Sequence, residues 1–81
     1  PQLLHNIRLV RKLNDGELAQ IQEVGGVISE QLGPKYRVLI RESGTEPLLR
    51  IMVEGESNTV VKKAIKGLAD SIQALLPQKT H

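Results

Sequence analysis

The apolar residues of this chain fall into five runs that follow two different periods. Residues 3 to 11 alternate: Leu3, His5, Ile7 and Leu9 share one face, and Leu4, Asn6, Arg8 and Val10 share the other. Period two is the signature of a strand. Apolar side chains on both faces predict that this strand runs inside a sheet. His5 sits on the more apolar face and is expected to be a partly buried, satisfied histidine. Residues 12 to 16 form a loop, in which Asn14 and Asp15 are good helix caps and Glu17 stands three after Asn14, the spacing of a capping box. A helix follows to about residue 32, because Leu18, Ile21, Gly25, Ile28 and Leu32 step by three and four, with Val24 beside them. The pair Gly25-Gly26 costs about 1 kcal/mol per glycine relative to alanine. Two outcomes stand: the helix breaks there, or its backbone lies tightly on the sheet. Gly33-Pro34 ends it.

Two short runs rich in Val, Ile and Leu come next, residues 37 to 41 and 48 to 54, and both read as strands. Paired antiparallel, they gather Val38, Ile40, Leu49, Ile51 and Val53 on one face and leave Arg41 and Arg50 on the other. Residues 55 to 58 turn the chain, with Ser57 as a helix cap. The second helix runs to about residue 76 on a stripe of Val61, Ile65, Leu68, Ile72 and Leu75. Lys62, Lys63 and Lys66 fall on its far side and read as a solvated face. Pro77 stops it, and residues 78 to 81 are expected to fray. The order β-α-β-β-α predicts an α+β fold, a short twisted and mainly antiparallel sheet with both helices on one face. An extra edge strand is left open, since the pattern assigns no segment to it.

Composition narrows the function. A length of 81 residues makes one small domain whose core must be aliphatic, since Tyr36 is its one aromatic residue. That argues against base stacking, on which single-strand nucleic-acid binders rely. Eleven basic and nine acidic residues leave a net charge of +2, too mild to call for nucleic acid. No apolar run approaches the length of a membrane span. Without cysteine, disulfides and thiolate zinc sites are excluded, which fits a reducing cytosol. The chain opens on Pro1, which gives the expectation of a piece of a longer protein.

The candidate chemistry lies between the second and third strands. Ser43 and Thr45 carry hydroxyl donors. Gly44 has no side chain to keep a ligand from the backbone amides. Arg41 and Arg50 stand at the two ends of the loop, and a guanidinium presents a planar fork that matches phosphate oxygens. The ordinary reading of such a stretch is a polar hairpin turn with solvated arginines. No histidine pair or carboxylate cluster with metal-ligand spacing appears, and no base adjoins Ser43 or Thr45 to make either a nucleophile. Glu46 is either a base or a carboxylate that orients Arg41 or Arg50.

The string Arg41-Glu42-Ser43-Gly44-Thr45-Glu46-Pro47-Leu48-Leu49-Arg50-Ile51-Met52-Val53-Glu54-Gly55 resembles the phosphate-binding loop of the phosphohexose mutases. Its ending in Leu48, Met52 and Glu54 is similar to the phosphoglucosamine mutase branch. The resemblance is strong over about residues 37 to 55 and weaker elsewhere. It implies the C-terminal domain of a longer cytoplasmic enzyme, residues 1 to 81, with a fold like half of the TATA-binding protein. It implies interconversion of glucosamine 6-phosphate and glucosamine 1-phosphate through a phosphoserine and a bisphosphate intermediate, assisted by Mg2+. The phosphoserine and magnesium loops lie outside these residues, so the chain alone is expected to be inactive, with no catalytic residue and no metal site of its own. Its implied partners are the phosphosugar and the preceding domains, with no nucleic acid and no membrane, and an oligomer of the parent enzyme is left open. Arg41, Ser43, Gly44 and Thr45, with Arg50, are the implied holders of the non-reacting phosphate. Glu42 departs from loops of the family and is expected to point away and change little. The open alternatives are a phosphomannomutase or phosphoglucomutase domain, a free-standing phospholigand-binding regulatory module, a small basic nucleic-acid binder using the lysines, and a purely structural turn.

Overall fold

A computed structural model describes residues 1 to 76 of the chain. Its elements are β1 (Gln2–Arg8), α1 (Asp15–Leu32), β2 (Arg37–Glu42), β3 (Leu48–Glu54) and α2 (Asn58–Leu75). The fold is α+β: three antiparallel strands in the order β1-β3-β2, with two helices. Both helices pack on the sheet face that carries Leu49, Ile51 and Val53, all fully buried. Ile7 and Ile40 join them from the flanking strands, and Ile21, Val61, Leu68 and Ile72 cover them from the helices. Burying a single such side chain contributes about 1.5–3 kcal/mol.

The first strand corrects its sequence reading in place and length. It stands at the edge, and β3 is the strand paired on both sides. It leaves the ladder after Arg8, where Leu9 donates its N–H to the Pro47 carbonyl at 2.8 Å. The apolar residues on its second face do not mark an interior strand, because Leu4 is 71% exposed on the uncovered side of the sheet. His5 shares the helix-side face, yet it is exposed rather than partly buried. It lines an open depression at the flank of α2 with Ile65, Lys66, Ala69 and Asp70, and so stays in water on the edge strand.

Both helix starts follow the sequence. Asn14 Oδ1 accepts from the Glu17 N–H at 2.8 Å, and Glu17 Oε1 accepts from the Asn14 N–H at 2.9 Å, so the capping box is complete. Ser57 Oγ accepts from the Val60 N–H. The Gly25-Gly26 pair resolves as close packing: α1 is unbroken and Gly25 is buried. A Cβ there would stand 2.6 Å from Cδ1 of Ile40. Gln22 then reaches the same strand, donating from Nε2 to the Ile40 carbonyl at 2.9 Å. That bond satisfies an edge-strand group which would otherwise be open.

In α2 the stripe shifts at its end. Leu75 is 43% exposed, and Leu76, past the last helical residue, turns inward instead. Pro77 and the tail of residues 78 to 81 lie outside the described residues.

Tyr36 ties the second turn to the sheet. Its hydroxyl accepts from the Ser57 N–H at 3.2 Å, and its ring lies against Gly55, where any Cβ would overlap it. Overpacking of this kind costs about 1–3 kcal/mol. Gly55→Ala is therefore expected to lower the unfolding free energy by that amount, read as a lower urea midpoint at unchanged slope, the ring being forced out and the Ser57 bond lost.

Candidate anion-binding site

Residues 43 to 47 connect β2 to β3. The connection is closed at its base by the Ser43 N–H, which donates to the Leu48 carbonyl at 2.8 Å. Inside it the N–H groups of Thr45 and Glu46 both aim at Ser43 Oγ, each at 3.4 Å. Good N–H···O bonds lie between about 2.7 and 3.2 Å. These two are long, so two amides converge on one hydroxyl without being well satisfied by it. Gly44 and Thr45 are exposed. Nothing within the fold demands glycine at position 44: its φ is not positive, and an added Cβ would meet no atom within 4 Å.

The register sets the charges. Arg41 on β2 stands directly opposite Arg50 on β3, and Asn6 on β1 stands opposite Arg50 on the other side. Alternation puts all three on the sheet face that no helix covers. Arg41 and Arg50 are exposed and line one surface depression together with Leu4, Leu39 and Met52. Among the described residues neither guanidinium pairs with a carboxylate. Like charges directly across a strand pair are destabilising, by about 0.2–1 kcal/mol. Donors and unpaired positive charge thus stand toward one end of the β2–β3 hairpin.

Arg41 and Arg50 thus share one sheet face and one depression, while Ser43, Gly44 and Thr45 lie in the adjoining loop and do not line that depression. Glu46 pairs with neither arginine; only its amide engages, toward Ser43. The lysines of α2 are remote from this face, being on a helix that covers the other side, and Lys66 pairs with Asp70 at 3.3 Å.

Sequence reasoning missed the neighbours of the loop. Glu42 does point away from the arginines, toward the helix side, but it is engaged there. Its Oε2 accepts from the Leu13 N–H at 3.0 Å in a half-buried contact. Lys12 then lies beside the loop, with Nζ 3.5 Å from the Gly44 carbonyl. The parity of Glu42 with Ile40 was a readable signal for its direction. The contacts with Leu13 and Lys12 span about thirty positions of chain and left no local signal.

The same segment holds the ion pair of Arg11 with Glu17, bidentate at 2.8 and 2.7 Å. The Arg11 hydrogen bonds, aided by the Asn14 amide, hold the Glu17 carboxyl at a pKa of about 2, below its ordinary 4.5. A depressed carboxylate contributes stability that is fully present above its unfolded value and is lost as pH falls through its folded one. The acid limb of stability between pH 4.5 and about 2 is therefore expected to flatten in Glu17→Gln. Urea midpoints measured along that range check it. Solvent screening keeps the effect small, since the pair is on the surface.

Among the described residues no three His, Asp or Glu side chains come together as metal ligands. The residues present therefore do not fit the magnesium ion that the resemblance implies. No helix among them is long and apolar enough to cross a membrane.

Residues 4 to 71 match the family model for the phosphoglucomutase/phosphomannomutase C-terminal domain. The chain is 41% identical over 73 residues to a phosphoglucosamine mutase of Vibrio cholerae serotype O1 (strain ATCC 39541), covering 90% of this chain and 16% of that protein. It is 40% identical over 73 residues to the phosphoglucosamine mutase of Proteus mirabilis (strain HI4320), with the same coverage. It is 38% identical over 79 residues to that of Marinomonas sp. (strain MWYL1), covering 98% of this chain and 18% of the relative. The chain thus spans only 16% to 18% of the length of these curated relatives.

Proposed function

The chain belongs to the phosphoglucomutase/phosphomannomutase C-terminal domain family, and from that premise we propose that it is the phosphate-gripping domain, residues 1 to 81, of a longer cytoplasmic phosphoglucosamine mutase. The observation that carries this reading is the Arg41–Arg50 pair, unpaired with any carboxylate among the described residues and set beside a loop of converging amides. The parent enzyme would be an isomerase that interconverts glucosamine 6-phosphate and glucosamine 1-phosphate by way of a phosphoserine and a bisphosphate.

This chain's part is binding. Arg41 and Arg50 neutralise the non-reacting phosphate, and a guanidinium can do so with two parallel bonds. The Thr45 and Glu46 amides turn from Ser43 Oγ to phosphate oxygens, and the hydroxyls of Ser43 and Thr45 donate beside them. An anchor that recognises only the phosphate serves both isomers of the sugar equally well. Holding it also draws this domain over the cleft, and phosphoryl transfer depends on positioning and on exclusion of water. No residue here attacks phosphorus or moves a proton, so the chain alone is expected to be inactive.

An amide NMR titration with glucosamine 6-phosphate tests the reading. Two or three charge-assisted bonds, less the cost of association, leave about −4 kcal/mol, near millimolar affinity. Shifts are expected at residues 43 to 45 and absent with unphosphorylated glucosamine. Shifts elsewhere with none at those residues would refute the site.

A further inference from the structure

Resting on the phosphate reading, we infer that Lys12 is a further phosphate-binding residue and that Glu42 is the positioning residue which keeps it at the loop. Three contacts strap the segment between β1 and α1 to the anion loop. Leu9 donates to the Pro47 carbonyl at 2.8 Å, Leu13 to Glu42 Oε2 at 3.0 Å, and Lys12 Nζ to the Gly44 carbonyl at 3.5 Å. The first two fix the backbone on either side of Lys12. The third is at the outer limit of a hydrogen bond. It holds an exposed ammonium against one neutral carbonyl, and Lys12 pairs with no carboxylate among the described residues. Its neighbour Arg11 is by contrast fully engaged with Glu17.

A compact point charge on a flexible stem, resting weakly beside a loop that has two arginines on the adjoining sheet face, is free to exchange a carbonyl for a phosphate oxygen. Glu42 makes this possible through its direction. Its carboxylate is turned to the helix side and occupied by an amide, so it does not neutralise the arginines while it tethers Leu13.

The test is the same titration on this chain with five variants. Lys12→Gln is expected to weaken glucosamine 6-phosphate binding about fivefold, and Lys12→Arg to restore it to within about twofold. Glu42→Leu is expected to weaken binding as much as Lys12→Gln. The double variant should be no weaker than either, because both changes remove one contact. Unliganded spectra of Lys12→Gln should match the parent outside its immediate neighbours, which a structural role would not allow. Unchanged affinity in Lys12→Gln, with binding lost in Arg41→Ala, overturns the Lys12 assignment alone. Additive losses in the double variant overturn the role given to Glu42. Full binding in Arg41→Ala overturns the arginine site itself, and absence of any binding to the parent chain overturns both readings.

Discussion

Arg41→Ala is expected to weaken phosphosugar binding about 10- to 100-fold while leaving the unliganded chain no less stable, or slightly more so. The two effects have opposite signs because one side chain serves two balances. In the complex, a charge-assisted bond to phosphate contributes about 1.5–3 kcal/mol, and its loss gives the stated drop in affinity. In the free chain, Arg41 faces Arg50 directly across the hairpin, with no carboxylate between them among the described residues. Removing one of two like charges there relieves about 0.2–1 kcal/mol. Loss of the side chain's methylenes, which cover part of the open sheet face, offsets some of that gain. Titration with glucosamine 6-phosphate and urea melts of the free chain read the two terms separately. Arg41→Lys should fall between parent and alanine in affinity, since an ammonium keeps the charge and loses the planar fork. A turn with no ligand predicts otherwise: unchanged affinity in every variant.

Leu49→Ala is the substitution expected to cost the most stability. Leu49 is fully buried on β3, between Ile7 and Glu42 in the register and beneath the helices. It also stands next to Leu48, whose carbonyl closes the loop between β2 and β3. Deleting a buried leucine to alanine costs about 2–5 kcal/mol, because the cavity left behind only partly collapses. A domain of this length has about 4–12 kcal/mol in all. The variant should therefore lose at least a large part of its urea midpoint with little change in slope, and at the low end of that range it should be substantially unfolded at 25 °C. Leu39→Ala, on the open face and 37% exposed, should cost far less. Equal losses at the two positions would mean that the open face is as well packed as the core.

How much of this was written in the chain differs from element to element. β3 was legible to the residue and the capping box of α1 was legible too, although the helix begins at Asp15, inside the expected loop, because these signals are local. An unbroken period of two marks Leu48 to Glu54, and the Asn14 side chain meets the Glu17 amide three positions on. The shared face of Arg41 and Arg50 was legible for the same reason, since an antiparallel hairpin with a short loop fixes its own register. β1 was less so. Its alternation gave a strand but not the strand's place, and the apolar second face that suggested an interior position is Leu4 standing in water. Leu75 failed at the end of a stripe, where Leu76, four residues after Ile72 and still bonded to its carbonyl, takes the inward place.

The sequence by itself determined the five elements, their caps, the inward faces of the sheet, and the hairpin that carries the candidate phosphate residues. Each of these depends on contacts within a few positions of chain or on strict alternation. Only the tertiary structure decided that β3 is central, that Gly25 is filled by Ile40 rather than breaking its helix, and that Glu42 and Lys12 belong to the neighbourhood of the loop. Those outcomes depend on segments about fifteen to fifty residues apart being brought together by burial of a common apolar face, and no local pattern records which of them will meet.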